Sequence, residues 1–99
     1  MAEHWFSKDP KEQLAGKTAI IMGGGSGIGK ATAELFAAAG ANLMITGVPE
    51  QICLDTAAEL REGGANAIGM LCDGTKPEQV EAMINKTIEE FGGIDILVS

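Results

Sequence analysis

The chain has 99 residues, of which 45% are hydrophobic and 21% charged, and its fourteen acidic against seven basic side chains give a formal charge of −7. This excess of negative charge repels a polyanionic phosphate backbone, so it disfavours nucleic acid as a partner. No apolar run approaches the roughly 18 residues that a membrane span requires, and the first dozen residues lack the charged-then-apolar pattern of a secretion signal; we therefore expect no membrane association and a cytoplasmic location.

Glycines separate short apolar runs from segments whose apolar residues recur every three or four positions. The short runs are typical of buried strands, and the periodic segments are typical of helices. The strands are predicted at Lys17–Met22, Asn42–Thr46, Asn66–Leu71 and Ile94–Val98. The helices are predicted at Ile28–Ala39, at Glu50–Arg61, and from Thr75 to the residue before Gly92.

The spacing also predicts one apolar stripe along each helix. In the first helix the stripe is Ile28, Thr32, Leu35, Phe36 and Ala39. In the second, Leu54, Ala57, Ala58 and Arg61 lie on one side of the helix, and in the third the stripe is Val80, Met83, Ile84, Thr87, Ile88 and Phe91. Gly40 is predicted to cap the first helix. Thr75 and Glu78 have the spacing of a reciprocal cap at the start of the third.

The order βαβαβαβ predicts an α/β fold, because parallel strands are joined by right-handed helical crossovers. We expect a Rossmann-like parallel sheet with helices on both faces and strand order 3-2-1-4. The apolar fourth strand would then lie at an open edge, which is an association hazard. We therefore expect the fold to be partial, truncated at its C-terminal side.

A glycine-rich segment lies directly between the first strand and the first helix. Gly23, Gly27 and Gly29 have the spacing Gly-x3-Gly-x-Gly. Glycine allows a tight turn and leaves no Cβ between the main chain and a pyrophosphate, and free N–H groups at the positive end of the helix then face the anion. A plain turn would not need five glycines within seven residues. We predict a dinucleotide-binding domain at residues 14–99, preceded by an extension at residues 1–13.

The loop does not match the phosphate loop of nucleotide triphosphatases. That motif ends in Gly-Lys-Ser/Thr, whereas Lys30 is followed here by Ala31. Its first glycines are also spaced differently. We therefore predict no triphosphatase activity.

The segment Met22–Gly29, with the sequence MGGGSGIG, resembles the Thr-Gly-x3-Gly-Ile-Gly loop of the short-chain dehydrogenase/reductase family. Met22 stands where threonine is usual. The stretches LAGK at 14–17, GA at 40–41 and IDILV at 94–98 are also similar to the family. The resemblance implies a nicotinamide dinucleotide held by Gly23, Gly25, Ser26, Gly27, Ile28 and Gly29.

The resemblance also implies an adenine contact and a determinant of cofactor choice. Asp73 is similar in placement to the aspartate that accepts a hydrogen bond from the adenine amino group, although Gly74 follows where an apolar residue is common. Asp73 could instead help to start the following helix. Gly47 and Val48 fill the ribose positions without an acidic or basic side chain, which favours NAD over NADP. Glu50 could reach the ribose, or it could serve as a first-turn acid.

The resemblance implies hydride transfer between the nicotinamide and an alcohol or carbonyl substrate, assisted by Tyr, Lys, Ser and Asn. The chain contains no tyrosine and a single histidine, His4. We therefore predict that none of these 99 residues is catalytic. We expect the full-length protein to be a homo-oligomeric enzyme whose catalytic half lies outside this chain. The alternative is a non-catalytic nucleotide-binding or interaction module. Cys53 and Cys72 have no metal-ligand spacing, so we expect no metal site and two unpaired cysteines that are buried or half-buried.

Overall fold

The computed structural model describes residues 13–99. Its elements are β1 (Thr18–Met22), α1 (Gly27–Ala38), β2 (Asn42–Gly47), α2 (Glu50–Glu62), β3 (Asn66–Leu71), α3 (Pro77–Phe91) and β4 (Ile96–Val98). Every predicted strand and helix is present, and the predicted boundaries differ by no more than two residues. The predicted extension lies outside the described residues except for its last residue, Gln13.

The four strands form one parallel sheet in the order β3-β2-β1-β4. The predicted α/β class and strand order are therefore confirmed. Central strands β1 and β2 are apolar on both faces, as strands covered by helices on each side must be. In the register of the sheet, Met22 lies beside Thr46, and Thr46 lies beside Met70.

Two hydrophobic cores flank the sheet. On one face, Ile21 and Ile45 pack with Ala33 of α1 and Ala57 of α2. On the other face, a core under α3 is rich in sulfur-containing side chains; its buried members are Ile20, Met44, Cys72 and Met83. Cys53 belongs to the first core, and both cysteines are free and buried, as predicted. They lie on opposite faces of the sheet.

The predicted stripe of α1 faces the sheet only in part. Phe36 packs against the core and Ala39 is buried, but Ile28 and Leu35 are 87% and 71% exposed. Ala33, which lies outside the predicted stripe, is fully buried. Its small side chain lets the helix axis approach the sheet closely, whereas the bulkier Ile28 and Leu35 point away from it.

The predicted stripe of α2 is shifted by one residue from the observed one. Cys53, Thr56 and Ala57 are buried, and Leu54 is 40% exposed. The prediction was correct for α3 at its centre, since Met83 and Thr87 are the buried positions of that helix. In α2, the small side chains of Cys53 and Thr56 are thus buried in place of the neighbouring Leu54.

The helix ends follow one prediction and contradict another. Gly40 follows the end of α1, and its N–H and that of Ala41 donate to carbonyls of the last helical turn, as expected of a glycine cap. The predicted reciprocal cap of α3 is wrong. That helix begins at Pro77 with Lys76 as its N-cap residue, and no side chain caps it. Proline needs no N–H partner in the first turn, which makes a side-chain cap less necessary.

Within residues 13–99, no helix has the length and apolar character needed to cross a membrane.

Candidate nucleotide-binding site

The carboxyl ends of three strands meet at one edge of the sheet. There β1 runs into the loop at residues 23–26, β2 ends at Gly47, and β3 leads to Asp73. In open parallel sheets this edge is where ligands bind. The fold thus brings the predicted loop, ribose and adenine residues to one side of the molecule.

The loop is anchored at its first residue. The N–H of Gly23 donates to the carbonyl oxygen of Thr46 at 2.7 Å. This residue extends the pairing of β1 with β2 by one hydrogen bond, so its amide is not free for a ligand. The turn away from the sheet begins only after it.

The first turn of α1 leaves its amides uncommitted. Among residues 13–99, no acceptor receives a hydrogen bond from the N–H groups of Gly27, Ile28 or Gly29. Ser26 is the N-cap residue, its side chain makes no capping bond, and the turn holds no acidic residue. Free N–H groups at the positive end of a helix form a site for an anion such as a phosphate.

Two glycines of the loop are required by close packing. A Cβ on Gly29 would overlap the carbonyl oxygen of Gly23, and a Cβ on Gly25 would overlap the Cγ2 atom of Ile52 in α2. These contacts hold α1 and α2 close to the strand ends. They explain why this loop cannot carry larger side chains at either position.

Gly27 differs from both, because the space beside it is open. Its φ is +58°, and apart from its chain neighbours and its own helix backbone no heavy atom of residues 13–99 lies within 4 Å of the position that a Cβ would take. Gly23 is equally open, but its N–H is already bonded to Thr46. Gly27 therefore combines open space with a free amide.

The end of β2 supplies a neutral surface next to the loop. A Cβ on Gly47 would lie 3.4 Å from the Cα of Gly23, and Val48 is 65% exposed. Glu50 lies in the first turn of α2 and is exposed. Lys30, the basic residue nearest the loop in sequence, has its Nζ 3.2 Å from Glu59 Oε2.

Asp73 is held in place by the residues that follow it. Its Oδ1 accepts hydrogen bonds from the Oγ1 of Thr75 at 2.7 Å and from the N–H of Thr75 at 2.9 Å. Its own N–H donates to the Oε1 of Gln79 at 2.8 Å. Among the described residues nothing bonds its Oδ2, so one carboxylate oxygen is available.

The bonds from Thr75 also affect the charge of Asp73. The hydroxyl bond, followed by the backbone bond, lowers the pKa of Asp73 from its ordinary value of 3.8. Since the pKa is lowered, Asp73 stays ionised at pH values below its ordinary pKa and loses its charge only when the pH falls through the lowered pKa. Asp73 is therefore a hydrogen-bond acceptor at neutral pH.

The structure adds residues to this edge that the sequence did not single out. Thr46 is completely buried, and its Oγ1 has no hydrogen-bond partner among residues 13–99. The Sγ of Cys53 lies 3.7 Å from where a Cβ on Gly47 would be. Burial, and then the charge of Glu50, raises the pKa of this thiol. A strand-end threonine and a helical cysteine carry no sequence signal for such a place.

Other parts of the described chain are less suited to a dinucleotide. A groove of about 450 Å³ between the C-terminal ends of α1 and α2 lies at the opposite edge of the sheet, and its lining includes Glu34 and Glu59. Two carboxylates and two negative helix ends repel phosphate. Within residues 13–99, no three His, Cys, Asp or Glu side chains are grouped so as to hold a metal ion.

The sheet order, the glycine loop and the helix that follows it define a Rossmann-type α/β domain. A family model described as short chain dehydrogenase matches residues 17–99. The chain belongs to this family, which confirms the resemblance seen in its sequence.

Individual relatives show the same relationship. A short chain dehydrogenase/reductase of Aspergillus oryzae, astE, is 41% identical over 92 residues, which are 92% of this chain and 35% of that protein. The crystal structure of a hydroxysteroid dehydrogenase from Escherichia coli has a TM-score of 0.85 and 33% identity, over 91% of this chain and 37% of that one.

A second solved structure contains a nucleotide. It is a short chain dehydrogenase/reductase from Burkholderia phymatum in complex with NAD, with a TM-score of 0.82 and 38% identity. The match covers 85% of this chain and 30% of that one. The chain spans about a third of the length of the curated relatives that it matches.

Proposed function

We propose that residues 14–99 bind a nicotinamide dinucleotide at the glycine loop and form the cofactor-binding part of an oxidoreductase. The observation that carries this proposal is the first turn of α1, where the amides of Gly27, Ile28 and Gly29 have no acceptor among residues 13–99. The open space beside Gly27 gives a pyrophosphate access to them. Family membership supports the same conclusion.

The other predicted residues take complementary roles. Gly23, Gly25 and Ser26 shape the loop, Gly47 and Val48 border the adenosine ribose, and the free Oδ2 of Asp73 accepts a hydrogen bond from the adenine amino group. The nicotinamide ring, when bound, accepts or supplies a hydride. The residues on this edge bind and orient the nucleotide and exchange no proton with a substrate.

NAD is the cofactor that this edge favours. A 2′-phosphate beside Val48 would find no positive charge at residues 47–52, and Lys30 is paired with Glu59. Burying a dianion without a cation costs more than leaving a ribose hydroxyl partly solvated. Replacement of Val48 by Arg is therefore expected to tighten NADPH binding about fivefold, whereas Val48→Gln leaves it unchanged.

Catalysis requires residues beyond these 99. The chain has no tyrosine, so we propose that the general acid/base and the alcohol or carbonyl pocket belong to the remainder of a longer, cytoplasmic, homo-oligomeric enzyme. A non-catalytic nucleotide-binding module is the second candidate. If the 99 residues act alone, the absence of a tyrosine favours this non-catalytic module over an enzyme.

Calorimetric titration of the chain with NADH and NADPH tests the proposal. We expect NADH to bind at millimolar concentration or tighter and NADPH to bind more weakly. If neither binds at millimolar concentration, the nucleotide site is wrong. An assay of the same sample with a panel of alcohols and ketones is expected to show no turnover. Turnover by the 99 residues would contradict the assignment of catalysis to other residues.

A further inference from the structure

Met22 is the last residue of β1, and the pairing of β1 with β2 fixes its position. It pairs in register with Thr46, and the next residue, Gly23, donates its N–H to the carbonyl of Thr46. The side chain of Met22 is half-buried and packs against the core under α3, whose buried members are Ile20, Met44, Cys72 and Met83. A long thioether is thus held at the edge where the loop begins.

The end of this side chain reaches the segment after β3. A Cβ placed on Gly74 would lie 3.2 Å from the Cε methyl of Met22. Gly74 is exposed, and it is not among the glycines with positive φ. A side chain at position 74 would therefore require the methyl group of Met22 to shift by a few tenths of an ångström. Met22 and any side chain at position 74 compete for one volume.

That volume lies between the two ends of the nucleotide site. Gly74 directly follows Asp73, and Met22 directly precedes the glycine loop. Both residues also depart from the pattern that the sequence otherwise resembles, since threonine is usual at position 22 and an apolar residue at position 74. A Cβ at position 74 would press against the Cε methyl of Met22, so the first departure can compensate for the second.

We propose that Met22 forms the apolar wall of the adenine subsite, in the place that a side chain at position 74 would occupy. This inference rests on the proposed function and names the residue that shapes its adenine end. A thioether is flexible and polarisable, and it makes favourable contacts with aromatic rings. Met22 is therefore a specificity-determining residue that acts beside the hydrogen bond from Asp73.

Titration of the 99-residue chain and its variants with ADP and with inorganic pyrophosphate tests this role, because only ADP carries the adenine. We expect Met22→Thr to weaken ADP binding about fivefold and to leave pyrophosphate binding within about twofold. Gly74→Val is expected to displace the methionine methyl and to weaken ADP binding about threefold. The double variant is expected to return to within about twofold of the original affinity, because valine then fills the vacated volume.

Gly93→Val is the matched control, since no heavy atom lies within 4 Å of a Cβ at that glycine. It is expected to bind ADP like the original chain. Gly74 is exposed, so its variant keeps the test open even if Met22→Thr does not fold. Additive losses in the double variant, or equal ADP affinity in all variants, would overturn the role of Met22 but not the nucleotide site. Failure of the original chain to bind either ligand would overturn the nucleotide site itself.

Discussion

Single glycines decide whether the loop can approach a diphosphate. Gly27→Val is expected to abolish NADH binding, because the side chain would enter the open space over the free amides of α1. A positive φ also disfavours valine by roughly 1–3 kcal/mol, so stability must be measured with affinity. Calorimetric titration and urea unfolding of the same samples give both quantities.

Gly16→Val separates the two effects. Gly16 has a φ of +81° and, like Gly27, no heavy atom within 4 Å of a Cβ, but it precedes β1 at the opposite edge of the sheet. We expect it to lose comparable stability and to keep its NADH affinity. An unchanged affinity in Gly27→Val would remove the assignment of the pyrophosphate to this turn.

A buried hydroxyl without a partner is a second feature at the scale of one residue. Thr46 and Thr87 are both fully buried, but within residues 13–99 only Thr87 of the two makes a side-chain bond, at 2.7 Å to the carbonyl of Met83. We expect Thr46→Val to raise the free energy of unfolding by about 1 kcal/mol and Thr87→Val to lower it by about 0.5–1 kcal/mol. Urea unfolding measures both. A loss of stability in Thr46→Val would show that its hydroxyl does have a partner.

At the scale of elements, the strands and their order followed from the sequence because apolar runs and glycine turns are local signals. The faces of α1 and α2 followed from it only in part. In α1 the sheet selects Ala33 over Leu35, and in α2 it selects Cys53 over Leu54. Periodicity shows that a helix has an apolar stripe, but close packing against a sheet favours small side chains, and that preference depends on contacts distant in sequence.

The site shows the same division. The positions of Gly27 and Gly29 could be predicted, because their spacing after a strand and before a helix has a local cause. The bond from Gly23 to Thr46, and the closeness of the Met22 methyl to the place of a Cβ at Gly74, relate residues of different strands and loops. Such relations depend on how the strands are placed beside one another, and the spacing of residues along the chain does not specify that placement.

The three-residue strand β4 depends on one side chain before it. The Oδ2 of Asp95 accepts a hydrogen bond from the N–H of Thr18 at 2.9 Å, and the N–H of Asp95 donates to the carbonyl of Thr18 at 2.8 Å. Thr18 is buried. Asp95→Ala leaves the N–H of Thr18 without an acceptor, so we expect the free energy of unfolding to fall by about 1–3 kcal/mol. Amide hydrogen exchange at Thr18, together with urea unfolding, measures the effect.

Asp95→Asn is the control, since its amide oxygen can still accept the bond from Thr18. We expect Asn to retain more of the stability than Ala and to keep the Thr18 amide protected from exchange. Equal losses in the two variants would mean that the carboxylate charge, rather than the hydrogen bond, holds β4 against β1.

For the molecule as a whole, the exposed apolar surface at β4 is the feature with the largest consequence. Leu97 is 62% exposed, and on its outer side β4 pairs with no other strand of residues 13–99. An apolar side chain on an unpaired strand edge promotes association. We expect the 99-residue chain to self-associate with increasing concentration in sedimentation velocity, and Leu97→Lys to reduce that association. Leu54→Lys, on the exposed side of α2, changes the charge equally and is expected to have little effect. A chain that stays monomeric throughout, or equal effects of the two lysines, would show that β4 does not drive association.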